Sequence, residues 1–418
     1  MYSEKLEQNI TKELLALQDS GKFKVERELE GAQGPEVQIN GLPSHGFGKA
    51  SKKVLMFASN NYLGLANNSE IIDSVKVALD EYGFGLSSVR FISGTQKIHK
   101  ELEQKLAEFL GVEDAILYST NFMANLGFFA SLANEGFGEE SHLDVIYSDE
   151  LNHASIIDAF KLCKKENVVK RVYPHNDLVA LEKMLEEDVK NSPSGGYRFK
   201  IIVTDGVFSM EGYLANLPEI LKLAEKYQAL LFVDDAHAVG VIGKTGAGTP
   251  EYFGLHGKVD ILSGTFGKAL GGAVGGYIAG KKYIIEYLRQ KSRTYTFSNS
   301  LPPMVTVAGI MALDLLKAQP ELLSKISENT NYFRTEVKKL GFKILEGNHP
   351  IVPVILGDAK LTQEVSQKLL DKGIYVVGLW FPVVPEGEAR LRFQISAAHT
   401  KEHLDMALSA LREVAQEI

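Results

Sequence analysis

Two charged side chains follow apolar runs of the sequence that predict buried strands. Asp234 ends the run at 230–233, and Lys268 lies among glycines shortly after the run at 261–263. A buried ammonium group is costly unless its pKa falls or the amine becomes a Schiff base. A buried carboxylate needs a hydrogen bond or a cationic partner, and a protonated ring nitrogen would be one. The pair therefore indicates a site for a ring compound that carries an aldehyde.

A histidine stands at a third predicted strand end. His153 follows the run at 145–148 and begins a predicted helix, where an imidazole can stack on a heteroaromatic ring. Open α/β sheets bind ligands at the carboxyl ends of their strands, and donors at a helix N-terminus suit a phosphate. A lysine for an aldehyde, an aspartate for a pyridinium nitrogen and donors for a phosphate together describe a pyridoxal 5′-phosphate site.

Each of these residues also has a plainer interpretation when it is taken alone. Lys268 could be an exposed lysine in a glycine-rich turn, and Asp234 with His237 could cap a strand end or bind a metal. Asp235 lies beside them, so a metal hydrolase is an alternative function. A single arginine on a strand, such as Arg392, is usually solvated.

Several function classes lack their usual signals. The sequence contains no GxxxxGKS/T phosphate loop, no GxGxxG motif and no GxSxG motif. The net charge of -8 gives no polyelectrolyte reason to bind nucleic acid. Cys163 is the one cysteine, which rules out an internal disulfide and a cage of cysteines around a metal. We therefore expect no metal and no nucleic-acid partner.

The elements that must position the candidate site follow from the periodicity. Helices alternate with short apolar strands, which is typical of an α/β fold with a mostly parallel central sheet. The predicted strands lie at 54–57, 115–118, 145–148, 168–172, 200–204, 230–234, 261–263 and 276–279. After residue 301 a helical tract through 340, strands at 351–356, 374–377 and 391–395, and further helices indicate a smaller C-terminal α+β domain. We expect an N-terminal helix and entry segment (1–58), a large ligand-binding domain (59–300) and a small domain (301–418).

No segment of the sequence suits a membrane span or a leader peptide. The stretch 261–280 has little charge, but it holds seven glycines and Lys268, which a lipid-facing helix tolerates poorly. Residues 1–24 lack the apolar centre of a secretory signal and are too acidic for a transit peptide. With the single cysteine, this predicts a cytoplasmic location.

Six motifs make the chain resemble the α-oxoamine synthases, which are fold-type I pyridoxal-phosphate enzymes. They are SNNYLGL at 59–65, the segment from Gly83 to Thr95, the segment ending at His153, TDGVFSM at 204–210, VDDAHA at 233–238 and the glycine-rich segment around Lys268. The resemblance runs from about residue 22 to the C-terminus. It implies an α/β transferase of fold type I that transfers an acyl group with pyridoxal phosphate as its cofactor.

The resemblance also implies roles for the residues of the cofactor site. Lys268 would carry the cofactor as a Schiff base and later move a proton of the substrate glycine. Asp234 would hold the pyridine N–H, and His153 would stack on the ring. The remaining contacts, to the ring phenolate oxygen and to the phosphate, would come from His237, Ser209, Thr265, Asn121 and Phe122.

Substrate binding and assembly follow from the same resemblance. Asn60 and Arg392 would bind the substrate carboxylate, which the planar fork of an arginine suits. Arg27, near the entry helix, is a candidate for a phosphate of CoA. One segment would reach the phosphate in the neighbouring subunit and so implies a homodimer with shared active sites; it consists of Ser298, Asn299 and Ser300.

Members of the family differ in the acyl-CoA that they use. The motifs here, including the run at 381–385, are most similar to those of members that condense glycine with acetyl-CoA. The pocket beyond the ring should then be closed by bulky groups, with Phe84 and Tyr62 as candidates. Loops at 134–143 and 191–197 look longer than in relatives, so a longer acyl-CoA, as in 8-amino-7-oxononanoate synthase or serine palmitoyltransferase, is the alternative. A catalytically silent partner subunit is a further alternative, whose signature would be loss of the lysine.

Overall fold

The computed structural model describes residues 4–20, 22–23, 26–40, 51–139, 142–191 and 196–417. Its strands are β1 (Leu29–Glu30), β2 (Glu36–Ile39), β3 (Lys52–Met56), β4 (Asp114–Tyr118), β5 (Asp144–Asp149), β6 (Val168–Tyr173), β7 (Lys200–Asp205), β8 (Leu230–Asp234), β9 (Ile261–Thr265), β10 (Gly276–Gly280), β11 (Ile351–Gly357), β12 (Ile374–Tyr375), β13 (Val377–Leu379) and β14 (Ala389–Gln394). Its helices are α1 (Glu4–Asp19), α2 (Ser69–Tyr82), α3 (Lys97–Leu110), α4 (Asn121–Leu132), α5 (Ala154–Leu162), α6 (Leu178–Lys190), α7 (Leu217–Tyr227), α8 (Thr249–Tyr252), α9 (Lys282–Lys291), α10 (Arg293–Thr296), α11 (Pro303–Ala318), α12 (Glu321–Lys339), α13 (Ala359–Asp371) and α14 (Lys401–Gln416).

The central sheet has the strand order β4-β10-β9-β8-β7-β5-β6. Its strands are parallel except for β10, which runs antiparallel to both β4 and β9. In the register of β7, β8 and β9, Asp205 lies opposite Asp234, and Asp234 lies opposite Ser263. The predicted α/β fold with a mostly parallel sheet is confirmed, and the carboxyl ends of β7, β8 and β9 meet at one edge.

Helices cover both faces of this sheet, which explains why its strands are apolar throughout. On one face the buried core includes side chains of α3, α6, α7 and α11. On the other face it includes side chains of α4, α5 and α9. Two of these helices, α4 and α5, begin directly beside the carboxyl ends of the strands.

The C-terminal part forms a smaller antiparallel sheet in the order β11-β14-β13. Its core includes side chains of α12, α13 and α14. The helical tract expected through residue 340 is two helices, because Pro320 has no N–H to continue α11. The single strand expected at 374–377 is also wrong: β12 pairs with β3, whereas β13 pairs with β14.

The division at residues 58 and 300 stays a prediction, and the packing leads us to propose a shift in both boundaries. Helix α11, which follows residue 300, packs against α2 and α3 of the large core. Strands β1, β2 and β3 form one sheet with β12 of the small domain. The side chains of Leu55 and Phe57 also lie in the small-domain core. We propose that the large domain includes α11 and that β1 to β3 belong to the small domain.

Two further expectations concern surface and membrane segments. No helix among the described residues is long and apolar enough to cross a membrane. The stretch 261–280 instead forms β9, β10 and the connection between them. The loops predicted at 134–143 and 191–197 include residues 140–141 and 192–195, which lie outside the described residues.

Candidate active site

A cavity lies at the carboxyl ends of β7, β8 and β9, beside the first residues of α4 and α5. The side chains predicted for a cofactor site that line it are Asn121, Phe122, His153, Asp234, His237, Thr265 and Lys268. Further lining residues are Asp205, Val207 and Ala236. The fold therefore brings together residues that are up to 147 positions apart in the sequence, from Asn121 to Lys268.

Lys268 lies just after β9 in a tight glycine-rich turn. Gly272 has a φ of +71°, and a Cβ there would come within 2.9 Å of the Cβ of Ala66, so the turn requires glycine at this position. Burial lowers the pKa of Lys268 to about 8, while the carboxylates of Asp234 and Asp205 oppose the shift. Near pH 8 about half of the Lys268 amines are therefore neutral and able to act as nucleophile or base.

Asp234 is held at the end of β8 by three donors. Its side chain is buried, and it accepts hydrogen bonds from Asn125 Nδ2 at 2.7 Å, Asn121 Nδ2 at 3.0 Å and the backbone N–H of Ala236 at 3.0 Å. These bonds satisfy a buried carboxylate and fix its orientation. Asn125 is missed by the sequence prediction, although it lies four residues after Asn121 and hence on the same face of α4.

Asp205 is a second carboxyl group of the cavity and is also missed by the sequence prediction. It ends β7 as Asp234 ends β8, and its Oδ1 accepts the backbone N–H of His153 at 3.3 Å. Burial raises the pKa of Asp205 well above its usual value, and the charge of Asp234 adds to the shift. The signal that could have found Asp205 is its position at the end of an apolar run, where Asp234 was recognised.

The two histidines of the cavity are both uncharged at neutral pH. His153 caps α5, since its Nδ1 accepts the N–H of Ser155 at 3.2 Å. The Nδ1 of His237 lies 2.9 Å from the hydroxyl of Tyr62. Burial lowers the pKa of His153, and it lowers that of His237 well below its usual value. A neutral imidazole suits stacking or a directed hydrogen bond better than an ion pair.

The first turn of α4 supplies backbone donors to the cavity. Thr120 caps the helix by accepting the N–H of Met123 at 3.1 Å. The N–H groups of the first residues have no acceptor within the helix, so they are available to an anion. A Cβ at Gly276 of β10 would collide with the backbone nitrogen of Asn121, so glycine is required for this approach. The Thr265 hydroxyl lies in the same cavity and donates to the carbonyl oxygen of Gly275 at 2.9 Å.

The predicted substrate residues border the cavity without lining it. Arg392 Nη1 donates to the carbonyl oxygen of Ser209 at 2.9 Å, and its Nε is buried with no partner among the described residues. The Oδ1 of Asn60 accepts a hydrogen bond from Gln394 Nε2. Asn60 is also next to Tyr62, whose hydroxyl lies 3.4 Å away. Ser209 contributes its backbone here, and its side chain is not part of the cavity lining.

The other predicted binding residues lie away from the cavity in the single chain. The guanidinium carbon of Arg27 lies 5.2 Å from the centre of the Tyr375 ring. Tyr375 belongs to β12, the strand next to β3. The carbonyl of Asn299 accepts from Ser119 Oγ at 3.0 Å, just before the cap of α4. The residues that do not line the cavity are Arg27, Ser298, Asn299 and Ser300.

Neither of the bulky side chains predicted to close the pocket lines the cavity in the single chain. Phe84 is 82% exposed and does not close the cavity of one chain, because the loop after α2 points it to solvent. Tyr62 is fully buried and does not line the cavity, so its role in closing the pocket stays a prediction. His349 and His399 are also buried, and Nε2 of each lies within hydrogen-bond distance of a backbone carbonyl oxygen.

A metal site is not supported by the geometry around Asp234. The neighbouring Asp235 binds the hydroxyl and the N–H of Thr249, at 2.5 and 2.8 Å, so its carboxylate is already committed. Over the ranges that the structure describes, no group of three or more metal-binding side chains occurs. The set Asp234, Asp235 and His237 thus does not assemble into a metal-binding site.

Comparison with known proteins extends the similarity to the whole chain. Residues 52–411 match the family described as aminotransferase class I and II. The chain is 46% identical over 411 residues to 2-amino-3-ketobutyrate coenzyme A ligase of Escherichia coli K12, and 98% of each chain is covered. It is 42% identical over 409 residues to 8-amino-7-oxononanoate synthase of Thermoanaerobacter pseudethanolicus, covering 98% of this chain and 97% of that protein.

A solved structure shows the same architecture. Serine palmitoyltransferase of S. paucimobilis, with a bound aldimine of pyridoxal phosphate and myriocin, superposes with a TM-score of 0.86 at 30% identity. The superposition covers 98% of this chain and 97% of that chain. The similarity therefore includes both the large domain with the cavity and the small domain that borders it.

Proposed function

The chain belongs to the aminotransferase class I and II family and, within it, to the α-oxoamine synthases, and on this basis we propose that it condenses glycine with acetyl-CoA. The products are 2-amino-3-oxobutanoate and CoA, and the reaction is reversible, which suits a role in threonine and glycine metabolism. The observation that carries the proposal is the cavity itself, where Lys268 and Asp234 lie with two neutral histidines.

Pyridoxal phosphate is the proposed cofactor, and the cavity fits it at three points. Lys268 has a lowered pKa of about 8, as an amine that must react with an aldehyde requires. Asp234 presents a fixed carboxylate that can hold a ring N–H. The first turn of α4, at Asn121 and Phe122, has free N–H groups for a phosphate, and Thr265 lies beside it.

The chemistry of the reaction is divided between the cofactor and the chain. Bound in this cavity, pyridoxal phosphate would supply the electron sink for the carbanion that forms when glycine loses an α-proton. The Nζ of Lys268 takes that proton and later returns one, because its pKa is close to the working pH. Asp234 keeps a negative charge beside the ring nitrogen. With the cofactor bound, His153 would stack on the ring and His237 would donate a hydrogen bond to the phenolate oxygen, with Ser209 as a second candidate donor.

Arg392 and Asn60 are the proposed binders of the glycine carboxylate. The Nε of Arg392 is buried and has no partner among the described residues, so a carboxylate would satisfy it. With glycine held there, a bond forms between its α-carbon and the carbonyl carbon of acetyl-CoA. The thioester C–S bond breaks, and CoA leaves as a thiol that takes a proton. Arg27 remains the candidate for a CoA phosphate, since its Nε is likewise buried without a partner in the described part of the chain.

A longer acyl donor is the second candidate function. The 42% identity to an 8-amino-7-oxononanoate synthase is only slightly lower than that to the 2-amino-3-ketobutyrate coenzyme A ligase. Phe84 is exposed in the single chain, so it does not close the part of the cavity where the acyl group would bind. A dimer partner could close that part, so the acyl-chain preference must be measured.

A cytoplasmic homodimer with shared sites is the proposed assembly. Phe84, Phe91, Ile92 and Phe297 are each at least 64% exposed, and they are the kind of large apolar groups that an interface covers. Ser298, Asn299 and Ser300 do not line the cavity of their own chain, although the carbonyl of Asn299 accepts a hydrogen bond from Ser119 close to the α4 cap. This supports a segment shared between subunits.

The test combines absorbance with an acyl-CoA series. The purified protein should be yellow, and borohydride should remove the colour and fix the cofactor on the peptide that contains Lys268. Glycine should then be assayed with acetyl-, butyryl-, octanoyl- and palmitoyl-CoA. A steep fall of kcat/KM with chain length supports the acetyltransferase. If kcat/KM instead rises with chain length, by the equivalent of about 0.8 kcal/mol of binding free energy per methylene, the longer acyl donor is favoured. A colourless protein would reject both the acetyltransferase and the longer-chain synthase.

A further inference from the structure

His237 is held from two sides, by Tyr62 and by His349. Its Nδ1 lies 2.9 Å from the hydroxyl of Tyr62, and its backbone oxygen lies 2.8 Å from Nε2 of His349. Tyr62 and His349 are both fully buried. His349 belongs to the small domain, between α12 and β11, whereas His237 follows β8 of the large domain. The contact therefore connects the two domains at the cavity.

The hydrogen bonds of His349 fix its own tautomer. Its Nδ1 accepts the backbone N–H of Ile351 at 3.1 Å, so the proton of the neutral ring is on Nε2. Burial lowers the pKa of His349 to about 3, so the ring is neutral at physiological pH. Nε2–H consequently donates to the carbonyl oxygen of His237 and holds that stretch of backbone in place.

The hydroxyl of Tyr62 has one proton and two possible acceptors. His237 Nδ1 is 2.9 Å away, whereas Asn60 Oδ1 is 3.4 Å away and already accepts from Gln394 Nε2. The shorter contact favours Tyr62 as the donor to His237 Nδ1, and we take this direction as the premise that the tautomer measurement below tests. The ring of His349 packs edge-on against Tyr62, with ring centroids 5.5 Å apart, and so limits its rotation.

This arrangement determines which nitrogen of His237 serves the cavity. A neutral imidazole that accepts at Nδ1 carries its proton on Nε2. The ionisable groups that face His237 are Lys268, His349, Arg392 and His153, in addition to Tyr62. Burial and the positive charge of Lys268 keep the pKa of His237 well below its usual value, so the ring does not gain a second proton at neutral pH.

We propose that Tyr62 and His349 are positioning residues that hold His237 as a neutral imidazole whose Nε2–H donates into the cavity. The use of that donor rests on the proposed function, in which it meets the phenolate oxygen of the cofactor. The tautomer itself does not depend on it. His349 acts from the small domain, so a correctly seated small domain is required for the correct donor in the large one.

The tautomer can be measured in full-length protein freed of cofactor. With ¹⁵N-labelled histidine, the signals of His237 are assigned by their loss in His237→Gln. We expect the neutral Nε2–H form between pH 6 and 8, and a mixture of tautomers in Tyr62→Phe. The matched control is Tyr147→Phe, which removes another buried hydroxyl with one 2.9 Å bond, to Asp188, and should leave His237 unchanged. An Nδ1–H or charged His237 in the wild-type protein, or no change in Tyr62→Phe, would overturn the proposal.

The role of His349 is tested in the cofactor-loaded enzyme. His349→Leu should lower kcat about tenfold, the effect of about one hydrogen bond, with little change in KM for glycine. It should also shift the pH at which the cofactor absorbance changes. His349→Gln keeps a donor and should restore both. The control is His399→Gln, because His399 makes the same two bonds, to Ser396 N–H and Met56 O, away from the cavity.

The outcomes separate this proposal from the proposed function. If His349→Leu folds and keeps the wild-type kcat and absorbance titration, or if His349→Gln fails to restore them, His349 does not position His237. A wild-type protein without cofactor absorbance would reject the proposed function, while the tautomer measurement on Tyr62→Phe would still decide the role of Tyr62.

Discussion

Two clusters of buried charge in the large domain are built in opposite ways. In the first, Glu103 is buried between three cations: Arg90 at 2.9 Å, Lys100 at 2.9 Å and Arg289 at 3.1 Å. Burial alone would raise the pKa of Glu103, but the three positive charges lower it. The carboxylate is thus ionised at every pH at which the protein works, and this charge-compensated cluster is a structural element.

The second cluster is the cavity, where charge is not compensated in this way. Burial raises the pKa of Asp205 well above its usual value and lowers that of Lys268 to about 8. Lys268 is therefore close to exchanging a proton at a pH where Glu103 is inert, and burial favours the protonated form of Asp205. A buried charge that is surrounded by opposite charges stabilises the fold. A buried ionisable group at a strand end without such partners has a shifted pKa and can bind a ligand or move a proton.

The largest expected effect is the loss of the reactive amine. Lys268→Ala should lower turnover at least about a thousandfold, since it removes both the cofactor attachment and the proposed base. Turnover and borohydride trapping of the cofactor are the measurements. The control is Lys244→Ala, because Lys244 also follows a glycine in a turn but is exposed. Near-normal turnover in Lys268→Ala would remove the lysine from the mechanism.

The next effect concerns stability. Glu103→Gln should destabilise the protein by about 3 kcal/mol, because Arg90 and Arg289 stay buried with less compensation. Since the pKa of Glu103 is lower in the folded state, its contribution is present above the usual value of 4.5 and is lost as pH falls below it. The difference between wild-type protein and variant in urea unfolding should therefore shrink towards pH 4.

Two further measurements show whether the first cluster is purely structural. Lys100→Ala, at the exposed side of the cluster, should cost less than about 1 kcal/mol. Turnover per folded molecule should stay unchanged in Glu103→Gln. A selective loss of turnover without loss of stability would contradict the division between the two clusters.

A smaller effect is expected at Asp234. Asp234→Asn keeps the size of the side chain and removes the charge, so the cofactor should still bind. The glycine α-proton should exchange about a hundredfold more slowly, which corresponds to an increase of about 2.7 kcal/mol in the activation free energy. Proton exchange into glycine, followed by NMR, measures this step without an acyl donor. Exchange at the wild-type rate would show that the ring nitrogen does not depend on this carboxylate.

The sequence predicts most of the sheet and the polar groups at its edge. Strands buried on both faces are continuous apolar runs, so their ends were found to within two residues, and Asp234, Lys268 and His153 stood out at those ends. The division of β12 from β13 was missed because it depends on which neighbour each strand pairs with. The break at Pro320 was also missed, although the proline itself is a local signal for the end of a helix.

The missed site residues act through contacts that the sequence alone does not show. Asp205 lies in a motif that was recognised, but its raised pKa arises from burial beside Asp234, which only the register of β7 and β8 brings about. His349 is 112 residues from His237, and its contact depends on how the small domain sits on the large one. Such long-range contacts follow from tertiary packing rather than from periodicity.

The smallest effect, and the one that separates the two carboxyl groups of the cavity, is expected at Asp205. Asp205→Asn resembles the protonated acid and can still accept the N–H of His153, so turnover at pH 7 should change by less than about threefold. Because the pKa of Asp205 is raised in the folded state, wild-type stability falls as pH rises above the usual value of 3.8. The variant lacks this penalty, so its free energy of unfolding relative to that of wild-type protein should increase as the pH rises. For Glu103→Gln the free energy of unfolding approaches that of wild-type protein only as the pH falls. Urea unfolding at several pH values measures both trends. A loss of turnover as large as that of Asp234→Asn would mean that Asp205 acts as an anion, and the contrast between the two strand-end carboxyl groups would then be wrong.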